Sequence, residues 1–111
     1  MQSAFVYMMS NRKRGVIYIG FTVDIMKRGW EHRNKLIEGF TKRYSLIRLV
    51  WVEYHNSIEK AAAMEKKLKN LSRKKKIEII ERNNIEWRDL YPEIALYDPA
   101  QLLRNSQDLK I

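Results

Sequence analysis

Two apolar stretches open the chain, Ala4-Phe5-Val6-Tyr7-Met8-Met9-Ser10 and Val16-Ile17-Tyr18-Ile19-Gly20-Phe21. Both are rich in β-branched and aromatic residues, which predicts strands over 4–10 and 16–21. Between them Asn11-Arg12-Lys13-Arg14-Gly15 is wholly polar, with Asn and Gly at its ends, the chemistry of a hairpin loop. Pairing Ser10 with Gly15 sets Tyr7 opposite Tyr18, and strand alternation puts both on one sheet face. Thr22 is suited to cap a helix over 23–37, with Asp24 in its first turn. Asp24, Arg28 and His32 follow one another at four-residue spacing and share a row of that helix. Gly39 and Thr41 mark a loop, and Ile47 to Tyr54 reads as a third strand. Ser57 is the expected cap of a helix from 58 to about 70, and Ser72 of one over 73–83. Asn83-Asn84 ends that helix, and Trp87-Arg88-Asp89-Leu90-Tyr91-Pro92 closes the domain. The order β-β-α-β-α-α predicts an α+β fold: a small three-stranded antiparallel sheet flanked by helices. Residues 1–92 are expected to form the domain and 93–111 a short C-terminal tail, with helix again after Pro99.

One position breaks the apolar pattern. On the helix beginning at 58, Ile58, Ala61, Ala62 and Leu68 define an inward arc, and Glu65 falls in its middle. A buried carboxylate costs roughly several kcal/mol unless a cation or several donors meet it. Two readings stand: a boundary position where Glu65 pairs with a lysine, or a metal ligand. A lone carboxylate suits Mg²⁺, which keeps most of its waters.

Composition narrows the function classes. Twenty-two Lys and Arg against thirteen Asp and Glu give a net charge of +9 and a pI near 9.9. A domain this basic usually meets polyanions, nucleic acid before membrane surfaces. The cations fall in clusters, Arg12-Lys13-Arg14, Lys27-Arg28, Lys42-Arg43, Lys66-Lys67-Lys69 and Arg73-Lys74-Lys75-Lys76, which supply candidate phosphate contacts. No apolar run could span a bilayer, and the first residues lack a signal-peptide pattern, so a cytoplasmic location is expected. The absence of cysteine rules out disulfides and thiolate metal sites. The two histidines, His32 and His55, lack zinc-site spacing.

Five motifs then fall in order: Phe5-Val6-Tyr7, Tyr18-Ile19-Gly20, Asp24 with Arg28 and Glu31-His32, Ala61 through Lys69 around Glu65, and Asn84-Ile85-Glu86-Trp87-Arg88-Asp89-Leu90. Together they resemble the GIY-YIG nuclease superfamily, in its short single-domain bacterial branch, over about residues 4 to 91. The first motif is degenerate but keeps its tyrosine; the second is intact. Gly29 replaces an apolar residue, Met64 a basic one and Ile85 a proline.

The resemblance implies a metal-dependent DNA endonuclease with Tyr7, Tyr18, Arg28, His32, Glu65 and Asn84 at the catalytic site. Glu65 would hold Mg²⁺ or Mn²⁺, Arg28 would bind a phosphate oxygen, and Tyr7 resembles the general base, with Tyr18 the alternative. A free phenol titrates near 10, so Tyr7 is expected to be pulled down by the positive charge around it. Asn84 is expected in a supporting role. No sequence-reading element is present. DNA contacts are therefore expected to be mainly to phosphates, with Trp30, Tyr44 or Tyr54 stacking on unpaired bases, so single-stranded or distorted DNA suits the site. The alternative is a nucleic-acid-binding module that retains the fold without cleaving. Tyr7, Tyr18, Arg28 and Glu65 are expected around one concave patch.

Overall fold

A computed structural model describes residues 2–35 and 39–95. Its elements are β1 (Ala4–Ser10), β2 (Ile17–Thr22), α1 (Ile25–Arg33), α2 (Phe40–Arg43), β3 (Arg48–His55), α3 (Ile58–Lys69), α4 (Arg73–Asn83) and α5 (Tyr91–Ala95). The three strands form one sheet in the order β2-β1-β3, antiparallel throughout. This is the expected α+β arrangement, with two short helices added.

Every residue of β1 is buried, because helices cover both faces of this central strand. Phe5, Tyr7 and Met9 pack with Ile25 of α1, Leu46, Leu49 and Ile94 of α5. Ala4, Val6 and Met8 pack on the other face with Ala61 and Leu68 of α3, Ile80 of α4 and Trp87. The result is a three-layer sandwich in which α1 and α5 lie on one side and α3 and α4 on the other.

The hairpin differs from its expected register. Ser10 pairs with Ile17 and Tyr7 with Gly20, so Tyr18 stands opposite Met9. The loop runs from 11 to 16, because the Asn11 side chain accepts from Val16 N at 3.0 Å and Gly15 N donates to Arg12 O at 2.9 Å. The slip is two residues, an even number, so the two tyrosines keep a common face; a slip of one would have separated them. On the other flank, Met8 pairs with Trp51 and Met9 with Leu49, which leaves Val50 as the extra residue of a bulge. Its carbonyl is taken by the Asn84 amide at 3.0 Å.

Helix caps decide the remaining boundaries. Asp24, not Thr22, caps α1: its carboxylate accepts from Lys27 N at 3.0 Å. Thr22 completes β2, and its hydroxyl accepts from Asp24 N at 3.1 Å. α1 ends at Arg33 rather than 37; residues 36–38 lie outside the described part. Ser57 and Ser72 cap α3 and α4 as expected. α2 is a single turn after Gly39, too short to carry a periodic signal. α5 forms because the Asp89 carboxylate accepts from both Leu49 N and Tyr91 N, at 3.1 and 3.0 Å, tying the segment to β3. It runs across position 92, and its Ile94 is buried. The helix expected after Pro99 lies outside the described residues. Among them, no helix is long and apolar enough to cross a membrane.

The hairpin loop is clamped to α4 by one carboxylate. Glu81 accepts two hydrogen bonds from the Arg14 guanidinium, both at 2.8 Å, and one from the Trp87 indole at 2.7 Å. Trp87 holds a left-handed φ of 57°, unusual for so bulky a residue; its complete burial and the bond to Glu81 fix it there. Arg73 completes the clamp by donating to the carbonyls of Arg14 and Gly15 at 2.6 and 2.8 Å. Arg14 first, then Trp87, holds the Glu81 carboxyl at about 2, down from 4.5. A depressed carboxyl contributes stability above its unfolded value and loses it as pH falls towards the folded one. Wild-type protein should therefore lose stability between about pH 4.5 and 2. Glu81→Gln should lower stability at neutral pH and show a flatter profile across that window. Urea unfolding followed by tryptophan fluorescence through the acid range checks this; parallel profiles for the two proteins would refute it.

Candidate active site

Strand alternation builds the floor of the site. Tyr7 of β1 and Tyr18 of β2 stand on one face, their ring centroids 6.2 Å apart. Tyr7's partner across the ladder is Gly20, and the reason is steric. A Cβ at Gly20 would stand 2.7 Å from the Tyr7 hydroxyl and 2.9 Å from the ring carbon bearing it. The phenol therefore lies over bare backbone and reaches across β2, an edge strand.

α1 supplies the cover. His32 Nε2 is 3.0 Å from the Tyr7 hydroxyl, and its ring centroid is 5.6 Å from that of Tyr7 and 5.8 Å from that of Tyr18. His32 is only 3% exposed, and its Nδ1 is buried without a hydrogen-bond partner. Burial, and then the charge of Arg28 one turn earlier, lowers the imidazole to about 4. The ring is therefore neutral at physiological pH, with one nitrogen a donor and the other an acceptor.

Tyr7 departs from the expectation of a phenol pulled down by its neighbours. Burial raises its proton affinity most, and Tyr18 adds to this; Arg28 opposes them by charge and hydrogen bonding but does not win. The net shift is well upward. The hydroxyl keeps its proton at neutral pH and is hydrogen-bonded to His32. Arg28 itself leans on Glu31, with Nε 3.4 Å from the carboxylate.

Tyr7, Tyr18, Arg28 and His32 are thus brought together by β1, β2 and α1. Glu65 comes from a different layer. It lies on α3 between the buried Ala61 and Leu68, its side chain 20% exposed and paired with Lys69 at 3.4 Å. Ile58, expected on the inward arc, is exposed at the first turn. α3 covers the face of the sheet opposite Tyr7, so Glu65 stands on the other side of the sheet from the tyrosine–histidine pair. Among the described residues, no three His, Asp or Glu side chains form a cage for a metal. A single half-buried carboxylate fits a hydrated Mg²⁺ or Mn²⁺ and does not fit a protein-caged ion such as structural zinc.

Asn84 is buried and committed to the backbone. Its amide nitrogen donates to Val50 O at 3.0 Å and Arg88 O at 2.9 Å, and its oxygen accepts from Arg88 N at 3.1 Å. It holds the closing segment onto the β3 bulge.

The basic clusters are partly spent within the fold. Lys13 pairs with Glu86 at 3.2 Å, and Lys75 faces Glu78 at 3.8 Å. Arg14 and Arg73 hold the hairpin loop, and Arg43 stacks on Tyr44, 5.7 Å from the ring centre. Lys27 and Lys74 are exposed, Lys76 partly so. Trp30 and Tyr44 are 52% and 43% exposed, whereas Tyr54 packs against Phe5 with ring centroids 5.8 Å apart. Two structurally important roles escaped the sequence: Glu81 as the clamp and Gly20 as the bed of Tyr7. For Gly20 the signal was present, a glycine inside a strand, which often marks close approach of another group.

Residues 3–78 match the family described as the GIY-YIG catalytic domain. A UPF0213 protein of Syntrophus aciditrophicus is 31% identical over 84 residues, covering 75% of this chain and 95% of that protein. A UPF0213 protein of Staphylococcus saprophyticus is 31% identical over 80 residues, covering 72% and 96%. The solution NMR structure of a UPF0213 protein from Bacillus halodurans is 29% identical and covers 74% of this chain and 86% of that one, with a TM-score of 0.48.

The Gly20 contact gives a direct test. Gly20→Ala should force the Tyr7 ring to move and break its bond to His32, costing roughly 1–3 kcal/mol as overpacking does. Replacing Tyr7 with Phe removes the atom in closest conflict, so the cost of Gly20→Ala should shrink in that background. A double-mutant cycle by chemical denaturation reads this coupling; strictly additive effects would show that the phenol does not lie on Gly20.

Proposed function

The chain belongs to the GIY-YIG catalytic-domain family, and on that premise we propose that it is an endonuclease hydrolysing DNA phosphodiester bonds with one divalent ion, Mg²⁺ or Mn²⁺, at Glu65. The observation that carries this reading is the Tyr7 hydroxyl held 3.0 Å from a neutral, buried His32, with Arg28 acting on both.

Arg28 orients the substrate. Its planar fork matches a phosphodiester's oxygens, which an ammonium cannot do. The bound ion would supply Lewis-acid polarisation of the phosphate and ease departure of the 3′-oxygen. Proton transfer falls to the tyrosine–histidine pair. As the attacking water forms its bond to phosphorus and the bond to the 3′-oxygen breaks, the water's proton passes to the Tyr7 oxygen. Tyr7 passes its own proton to His32 Nε2, and solvent protonates the leaving oxygen. No free phenolate forms, so the raised proton affinity of Tyr7 is no obstacle. Arg28 opposes an imidazolium in the empty protein; the negative charge of a bound phosphodiester offsets Arg28 and makes His32 a better acceptor once substrate is present. Tyr18 helps to orient the water.

Lys27, Lys42, Arg43, Lys69, Lys74 and Lys76 would add phosphate contacts that carry no sequence information. Exposed Trp30 and Tyr44 offer stacking surfaces for unpaired bases, which favours single-stranded or distorted DNA.

One observation supports a binding module without catalysis: the Glu65–Lys69 pair serves the helix without any metal. A single experiment separates the readings. Purified protein is incubated with labelled single- and double-stranded DNA in Mg²⁺, Mn²⁺ or EDTA, alongside Glu65→Ala. Cleavage should need the metal and be lost in Glu65→Ala, while DNA binding persists and weakens steeply with salt. Cleavage by Glu65→Ala at the wild-type rate would end the metal-site assignment, and binding without cleavage under every condition would favour the module.

A further inference from the structure

On the face of the sheet away from Tyr7, residues of α3, α4 and the edge strand β3 line an open cleft of about 270 Å³. Its floor is apolar, made by Met64, Leu68, Leu71 and Ile79. Trp51 forms part of the wall; it is 5% exposed, yet its indole N–H is buried without a hydrogen-bond partner. An unmade bond on a buried donor costs about 1–3 kcal/mol, and such exceptions call for an explanation.

The rim carries charge of both signs, unequally engaged. Glu53 is bonded to His55 at 2.8 Å, and Glu78 faces Lys75 at 3.8 Å. Lys67 and Arg82 also line the cleft, and among the described residues neither has a partner. An apolar floor, an orphaned buried donor and two uncommitted cations are three independent demands. One chemistry meets all three.

We propose that this cleft binds a small organic anion: a flat apolar body on Leu68 and Ile79, an acceptor atom for the Trp51 indole N–H, and an anionic group between Lys67 and Arg82. The volume lies just below the roughly 300–1,000 Å³ of pockets for drug-sized molecules, which sets the size near that of one nucleotide or one aromatic acid. Met64 also lines the cleft, and its flexible unbranched side chain can shift to admit the ligand. The site lies on the opposite face from the tyrosine–histidine pair and does not depend on the nuclease reading.

The test is ¹H–¹⁵N NMR of the three indole N–H groups, with the Trp51 signal assigned by its loss in Trp51→Phe. The probes are thymidine 5′-monophosphate and benzoate, with thymidine and inorganic phosphate as controls. The Trp51 signal should move saturably with an organic anion and only weakly with either control. Saturation by the nucleotide alone identifies a nucleotide site; saturation by both anions identifies a general organic-anion site. Lys67→Ala/Arg82→Ala, at two exposed positions that leave the core intact, should weaken binding by about tenfold or more, the effect of losing a charge-assisted contact. No movement with either anion at millimolar concentration would overturn the proposal. So would movement unchanged in the double variant, or equal movement with thymidine or with phosphate alone.

Discussion

A phenol hydroxyl buried in the middle layer of a small domain must find a partner or cost the fold free energy. For Tyr7 that partner is His32, 3.0 Å away, and the contact constrains much around it. It fixes the azimuth of α1, because His32 must face the sheet. It requires Gly20 beneath the ring, since any Cβ there would meet the hydroxyl. It also brings Arg28, one turn before His32, to the same place. Three consecutive elements, β1, β2 and α1, are thus locked in orientation by a single polar pair and one missing side chain.

Burial has an electrostatic consequence that changes how the site is understood. Positive charge near a tyrosine suggests a lowered proton affinity, yet here desolvation outweighs Arg28 and the phenol is held protonated. His32 is driven the other way, towards the neutral ring, by the same burial and the same arginine. Both groups are thereby held neutral, as the hydrogen bond between hydroxyl and imidazole requires. In the proposed reaction, the negative charge of a phosphodiester relieves the field that Arg28 imposes.

Much of this was legible in the residues. Alternation in β1 and β2 gave the shared face of the two tyrosines, and serines at 57 and 72 gave the starts of α3 and α4. The register was missed by two because Asn11 closes a longer loop than the Asn-to-Gly span suggests, and an even slip preserves the face. The cap of α1 was misplaced because Thr22 and Asp24 both accept from the backbone there, and only the strand's pairing assigns Thr22 to β2. α5 depends on Asp89 reaching Leu49 N across the fold, a long-range contact that no local pattern carries. Arg14 and Arg73 read as phosphate contacts because sequence lists charges without their partners; Glu81 takes up one and the loop carbonyls the other. The Glu65 anomaly was visible as a carboxylate on an apolar arc, but the layer it faces was not, since that depends on how α3 docks on the sheet.

The central claim is that the Tyr7 hydroxyl moves a proton during phosphodiester cleavage, and not merely that it fills the core. The most direct measurement is single-turnover cleavage of labelled single-stranded DNA in Mg²⁺ by wild-type protein and Tyr7→Phe, with folding and DNA affinity checked for both. The account predicts a folded variant that binds DNA normally but cleaves about 10²–10⁴-fold more slowly, the range for loss of a positioned acid–base group. Cleavage by Tyr7→Phe at the wild-type rate would contradict it.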